Sequence, residues 1–85
     1  TTIAKGVIVP LTQGKYDALV SLVYNWGGGN FLRSLGLRCL NNSDYKKAAE
    51  EFFSSENGVV TIKGTFSQGL YNRRQAELDM WNGKA

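Results

Sequence analysis

The sequence predicts an all-α domain, a compact bundle of four to five helices with an irregular loop or short hairpin before the last helix. Three observations carry this. Apolar residues recur at three- and four-residue spacing over most of the chain, the period of a helix that buries one face. Clusters of glycine and asparagine, Gly27-Gly28-Gly29-Asn30, Asn41-Asn42 and Asn82-Gly83, punctuate those periodic stretches. The one run of strand-like composition, Val59-Val60-Thr61-Ile62, is short and has no evident pairing partner.

The first clear helix starts after Thr12, an N-cap residue type that follows the Pro10-Leu11 punctuation. Tyr16, Leu19, Val20, Val23 and Trp26 then form an apolar stripe, and Leu22 widens it, so most sides of this helix should be covered. The three glycines from Gly27 stop it, because glycine gives up more backbone freedom in a helix than any other residue. A second helical stretch spans Phe31 to Leu40. Gly36 weakens it and Ser34 can cap a restart, which predicts two short pieces. Ser43 is the expected cap of the next helix, with Tyr45, Ala48, Ala49, Phe52 and Phe53 inward. Lys46, Lys47, Glu50 and Glu51 fall outside, at spacings where opposite charges attract. From Ser54 to Ser67 the pattern is irregular, an extended loop or a short hairpin closed near Lys63-Gly64. The last helix runs from Gln68 or Gly69 to Trp81, with Leu70, Arg74, Glu77, Leu78 and Trp81 along one side.

A chain of 85 residues builds one core, not two. Hydrophobic residues at 42% and charged residues at 20% fit a globular protein rather than a disordered tail. Ten Lys or Arg against seven Asp or Glu leave a net charge of +3, which favours approach to an anionic polymer. The basic residues are spread from Lys5 to Lys84, however, which reads as solvated faces rather than a nucleic-acid footprint. No apolar run approaches the roughly 18 residues needed to cross a bilayer. Thr1 to Lys5 do not resemble a secretory signal. They read as a chain entered midway, or the tail of a helix whose start is missing.

Cys39 is the single cysteine, so no internal disulfide can form, and its apolar neighbours suggest a buried thiol. The absence of histidine rules out Ser-His, Cys-His and His-metal sites. The sequence calls for no metal and no cofactor. Among the acids, Glu50 and Glu51 are adjacent on a helix and point about 100° apart, so they do not converge on one bond. Asp44 falls in a first helical turn, where a carboxylate is simply stabilising. Glu77 lies one turn from Arg73 and Arg74 and is expected to pair with one of them. Asn25, inside an otherwise apolar helix, needs a polar partner.

From Leu11 to Trp81 the chain resembles the C-terminal helical lobe of the phage-type lysozymes. The first matching segment, PLTQGKYDALVSLVYNWG from Pro10 to Gly27, is similar to the family's "PLTQ-x-x-x-DALVSF-x-x-N-x-G". The second, FLRSLGLRCLNNSDYKKAAEEF from Phe31 to Phe52, is similar to "F-x-x-S-x-L-x-x-x-LN-x-x-x-Y-x-x-AA-x-x-F". The third, GLYNRRQAELDMW from Gly69 to Trp81, is similar to "GL-x-x-RR-x-AE-x-x-x-(F/W)". Between the second and third segments the resemblance lapses. The family has a tryptophan, a glycine-rich turn and "LPGL" there; this chain has Ser54 to Ser67, without tryptophan or proline. By this resemblance residues 1–10 are a remnant of the helix connecting two lobes, and residues 11–85 form a single lysozyme-like lobe.

The resemblance implies a role in cutting the β-1,4 bond between N-acetylmuramic acid and N-acetylglucosamine in bacterial peptidoglycan. The family does this with a Glu, an Asp and a Thr at the spacing E-x8-D/C-x5-T, in an N-terminal lobe. The chemistry needs a protonated carboxylic acid beside the scissile oxygen and a second group on the opposite face. That motif is missing here: nine residues beyond Glu50, Glu51 and Glu56 stand Val59, Val60 and Thr65. The expectation is therefore no catalytic residue in this chain, and no activity on its own. What the resemblance carries over is half of a saccharide cleft, with Tyr24 and Asn25 at the end of one helix and Phe31 and Ser34 at the start of the next. Tyr24 and Phe31 equally fit a core role; Trp26, Trp81, Arg73 and Arg74 read as structural. The implied product is the C-terminal lobe of a phage or prophage endolysin, made in the bacterial host cytoplasm and acting on the cell wall. The alternative is an orphaned lobe reused as a phage-encoded protein-binding or inhibitory module, with the Ser54–Ser67 loop as its new surface. A non-catalytic peptidoglycan-binding module is a third reading. An exposed interlobe edge of Ile3, Val7, Ile8 and Val9 would in either case invite a homodimer or a protein partner.

Overall fold

The computed structural model describes residues 2–54, 60–62 and 64–84, with 61 and 62 described by their backbone. In chain order it comprises α1 (Thr2–Gly6), α2 (Gln13–Trp26), α3 (Gly28–Leu32), α4 (Leu35–Asn41), α5 (Tyr45–Phe53), a hairpin of β1 (Thr61–Ile62) and β2 (Thr65–Phe66), and α6 (Gln68–Trp81). The all-α expectation stands, with six helices among the described residues rather than four or five.

Local chemistry sets most of the helix starts. Thr12, Ser34, Asp44 and Ser67 each accept a hydrogen bond from the backbone N–H three residues on, which satisfies a donor the helix itself leaves unpaired. Ser34 does cap a restart, dividing the Phe31–Leu40 stretch into two pieces. Two expectations are corrected. The cap of α5 is Asp44, not Ser43. Ser43 instead sits at φ 63°, in the left-handed region, and closes the end of α4. Its N–H donates to the Leu40 carbonyl at 2.9 Å, and the Asp44 N–H reaches back to Cys39 at 3.0 Å. That pair of bonds is a Schellman turn, a motif that normally places glycine where Ser43 stands.

The glycine run is the second correction. Only Gly27, at φ 103°, interrupts the helix; its N–H donates to the Val23 carbonyl and its own carbonyl accepts from Phe31. Gly28 and Gly29 belong to the first turn of α3. Position 27 demands a conformation that residues with a Cβ avoid, so it separates two helices without a loop.

α2 and α6 run antiparallel and pack along their length, as contacts from Lys15 to Trp81, Ser21 to Glu77 and Asn25 to Arg74 show. α4 and α5 form the opposite wall. Between them lie Leu19, Leu22, Phe31, Leu40, Phe52, Phe53 and Trp81, all buried. Their aromatic rings form a continuous cluster: Phe31 stacks on Phe52 at 5.8 Å between centroids, and Trp81 meets Phe53 edge-on at 5.6 Å. Such geometries add to what burial alone supplies. At Gly36 the backbone of α4 comes so near α5 that a Cβ would fall 2.5–2.8 Å from the Phe52 ring. The glycine that weakens α4 in isolation is what lets α4 pack. Cys39 is free and buried in the same core.

The N-terminal residues pack on this body. Ile3 is buried, and Val7 and Val9 pack against the core, so three of the four residues expected to form an exposed edge are covered; only Ile8, 80% exposed, stands out. Asn41 fixes the segment by donating from Nδ2 to the Gly6 carbonyl at 2.8 Å and accepting from the Ile8 N–H at 3.0 Å. Tyr45 Oη donates to the Pro10 carbonyl at 2.8 Å. In the irregular region, Thr61 pairs with Phe66 and Ile62 with Thr65, an antiparallel hairpin whose turn includes Gly64 at φ 84°. Of the expected Ser54–Ser67 loop, residues 55–59 and Lys63 lie outside the described residues.

Candidate functional site

Where α2 ends against α6, four polar side chains meet. Ser21 and Asn25 are one turn apart on α2, and Arg74 and Glu77 are one turn apart on α6, so each pair faces the other helix. Arg74 Nε lies 2.7 Å from Glu77 Oε1, and Arg74 Nη2 donates to Glu77 Oε2 at 3.1 Å and to Asn25 Oδ1 at 3.0 Å. Ser21 Oγ donates to Glu77 Oε2. Arg73 Nε lies 3.8 Å from the same oxygen, on a side chain that is half in solvent. Arg74 and Glu77 are buried, while Asn25 is exposed. The buried ion pair therefore ends in a surface amide whose oxygen it holds in place.

Burial pushes the Glu77 carboxyl above the ordinary glutamate range; the Ser21 hydroxyl, Arg74 and Arg73 pull it back down. Burial likewise lowers Arg74, opposed by Glu77 and reinforced by Arg73. Both charges thus give up more hydration than their partners fully restore, a typical balance for a buried ion pair. Glu77 is committed to Ser21 and Arg74 beneath the surface. It is not presented as a proton donor to a ligand.

The four expected sugar-contacting residues separate into two kinds. Tyr24, 87% exposed, and Asn25 are neighbours at the C-terminal end of α2, about 100° apart around the helix: Asn25 meets Arg74 on α6, whereas Tyr24 lines a hollow with Thr2, Ile3, Tyr16, Val20 and Val23. Phe31 is corrected to a core residue: it is fully buried against Phe52, and its ring has no face to offer a ligand. Ser34 is half-buried and engaged at the α3–α4 corner, where its hydroxyl donates to the Phe31 carbonyl at 2.7 Å and accepts from the Leu37 N–H at 3.1 Å. It serves the backbone.

Two further residues belong to this end of the molecule and were not singled out from the sequence. Phe66, on β2, is half-exposed and packs its ring 5.9 Å from that of Tyr71. Tyr71 lies one turn from Arg74 on α6, so the pair sits at the same end of the α2–α6 packing as Tyr24 and Asn25. The only sequence signal was an aromatic near the end of the segment that departs from the family pattern, Phe66, followed by Tyr71 in the first turn of the last matched segment. On the α6 side this end of the molecule presents the Phe66–Tyr71 ring pair, an amide pinned by an arginine, and the half-exposed guanidinium of Arg73, while the Tyr24 ring stands on the side of α2 that faces α1. Rings of this kind can cover the apolar face of a pyranose while the polar groups bond its substituents. Among the described residues no group of His, Cys, Asp and Glu could hold a metal ion.

The sequence and its all-α fold match known proteins. The phage lysozyme family profile matches residues 1–77. The chain is 48% identical, over 69 residues, to an endolysin of Acyrthosiphon pisum secondary endosymbiont phage 1, covering 81% of this chain and 47% of that protein. An endolysin of Bacillus phage PZA is 40% identical over 80 residues, 92% of this chain and 29% of that one. In three dimensions the chain superposes on the crystal structure of P22 lysozyme mutant L86M with a TM-score of 0.82 at 33% identity, over 95% of this chain and 52% of that one. The chain belongs to the phage lysozyme family, and it corresponds to that family's C-terminal region. It spans about half the length, or less, of the curated relatives it matches.

Proposed function

We propose that this chain is the C-terminal lobe of a phage endolysin, made in the host cytoplasm, and supplies one wall of the saccharide cleft for a peptidoglycan β-1,4-N-acetylmuramidase. The helix α1, Thr2–Gly6, would be the end of the helix leading into it from the other lobe, and residues 7–10 the non-helical link to α2. The catalytic acid and its partners belong to that other lobe, because E-x8-D/C-x5-T does not occur in these 85 residues. On its own the chain binds and does not cut.

One observation carries the reading: Tyr24 stands almost wholly in solvent beside Asn25, whose carbonyl oxygen is fixed by a buried arginine. A tyrosine left that exposed adds little to the core, an oriented surface amide suits the N-acetyl group of a sugar, and a chain of several sugars is long enough to reach both around the end of α2. A fixed amide also loses little freedom when a ligand binds.

The test has two arms. Purified chain is expected to show no turnover of peptidoglycan. Fused behind the N-terminal lobe of a relative, it should restore lysis. In the second arm, chitotriose is titrated into labelled chain and read by amide shifts at Tyr24 and Asn25. Tyr24→Ala should weaken that binding by about 1 kcal/mol, roughly fivefold, without lowering Tm, since the ring buries little. Turnover by the isolated chain would refute the assignment of chemistry to another lobe, and an unchanged affinity in Tyr24→Ala would refute the cleft role.

A further inference from the structure

The side-chain amide of Asn25 has two ends, an oxygen that accepts and a nitrogen that donates, and its neighbours decide which one faces outward. Asn30 and Asn41 settle this on the backbone. Asn30 Nδ2 donates to the Trp26 carbonyl at 2.9 Å, and Asn41 spends both its groups on residues 6 and 8. Asn25 settles it on a buried side chain.

Arg74 is fully buried, and its Nη2 carries two hydrogens. One goes to Glu77 Oε2 at 3.1 Å and the other to Asn25 Oδ1 at 3.0 Å. A guanidinium has donors and no acceptor. Turning the Asn25 amide over would therefore set one NH2 group against another beside a cation, and would strip a buried donor of its partner. The guanidinium cannot swing away to accommodate that, because Glu77 Oε1 holds its Nε at 2.7 Å and the fork is rigid. The oxygen of Asn25 is thus committed inward, and the exposed end of the amide is Nδ2, which can only donate.

We infer that Arg74 is a positioning residue that sets the selectivity of this surface: by fixing Asn25 with Nδ2 outward, it makes the site take a sugar through the carbonyl oxygen of its acetamido group and discriminate against one that carries a hydroxyl there. A site built around one directed donor rejects an analogue that lacks the matching acceptor. The choice of a sugar rests on the cleft reading above; the sense of the hydrogen bond rests on Arg74.

Labelled full chain is titrated in parallel with chitotriose and with cellotriose, which has the same β-1,4 backbone and a hydroxyl in place of each acetamido group. Both sugars are neutral, so net charge does not separate them. Chitotriose should move the Asn25 side-chain amide signals and bind about tenfold more tightly than cellotriose. Asn25→Asp keeps the oxygen that Arg74 needs and turns the outward nitrogen into an acceptor. It should not lower Tm, and it should weaken chitotriose about tenfold while leaving cellotriose within about twofold. Arg74→Lys, still a donor-only cation, should keep the preference between the two sugars. Arg74→Gln, which can offer oxygen as readily as nitrogen, should lose it; a purely structural role would weaken both sugars alike. Equal affinity for the two sugars, unchanged chitotriose binding in Asn25→Asp, or an unchanged preference in Arg74→Gln would overturn the proposal and leave the cleft standing. No shift at Tyr24 or Asn25 from either sugar would overturn both.

Discussion

Arg74 and Glu77 concentrate the energetic risk of this molecule in two side chains. Removing one partner of a buried pair leaves the other charge uncompensated, so Arg74→Met should cost about 3–5 kcal/mol at neutral pH. The pH dependence of that loss has a definite sign. Glu77 binds its proton more tightly folded than unfolded, because burial raises it. Its contribution therefore improves as pH falls through its folded value and worsens as pH rises above it. Without Arg74 one of the charges that holds Glu77 down is gone, so the carboxyl rises further. Thermal melts of Arg74→Met and the parent chain should converge as pH is lowered from about 7 to about 5. A gap that widened on acidification would contradict this. The sequence foretold that Glu77 would meet an arginine and that Asn25 would need a partner. It could not tell that these were one network, since the link runs between helices 49 residues apart in the chain.

At the scale of elements, local rules made most boundaries readable. Thr12 and Ser34 act as caps because their short oxygen-bearing side chains reach the third N–H of the helix, whatever the rest of the fold does. The error at Ser43 and Asp44 has a physical source. Both are good cap residues and they are adjacent, so the choice fell to how α4 ended, which composition does not record. Since α4 closes with a left-handed residue at 43, the following position is left to cap α5. The same turn yields a prediction. Ser43→Gly removes the steric cost of φ 63° and should raise stability by up to about 1 kcal/mol, read as a higher Tm. An unchanged or lower Tm would mean that the serine side chain offsets its own strain. Phe31 shows a complementary limit. An aromatic at a helix start looks the same in sequence whether it faces Phe52 or solvent, and only the tertiary packing that sets its ring on Phe52 decides it.

For the whole molecule, the N-terminal segment is the part whose attachment is most specific. Residues 6 to 10 are held across the fold by Asn41, through both its amide groups, and by Tyr45. Asn41→Ala strips the Gly6 carbonyl and the Ile8 N–H of their partners together. It should cost about 1–3 kcal/mol and speed amide exchange at Ile8 well before that of α2 or α6. Exchange that rose evenly over the chain would show that the segment does not open separately. The lobe architecture was legible because it depends on helical periodicity and on a family pattern kept over three segments. The proposed sugar-facing surface was half legible. Tyr24 and Asn25 lie within a matched motif, whereas Phe66 and Tyr71 come together only through a hairpin whose pairing no periodicity announces.

Cys39 carries a practical consequence. It is the single sulfur nucleophile of the chain, free and packed in the core formed by α4 and α5. An alkylating reagent attacks a thiolate it can reach, and here it can reach one only when that wall separates from the rest. The rate at which this chain takes up iodoacetamide is then a built-in clock for core opening. It needs no engineered label, and it could time how a bound saccharide slows the breathing of the lobe beneath it.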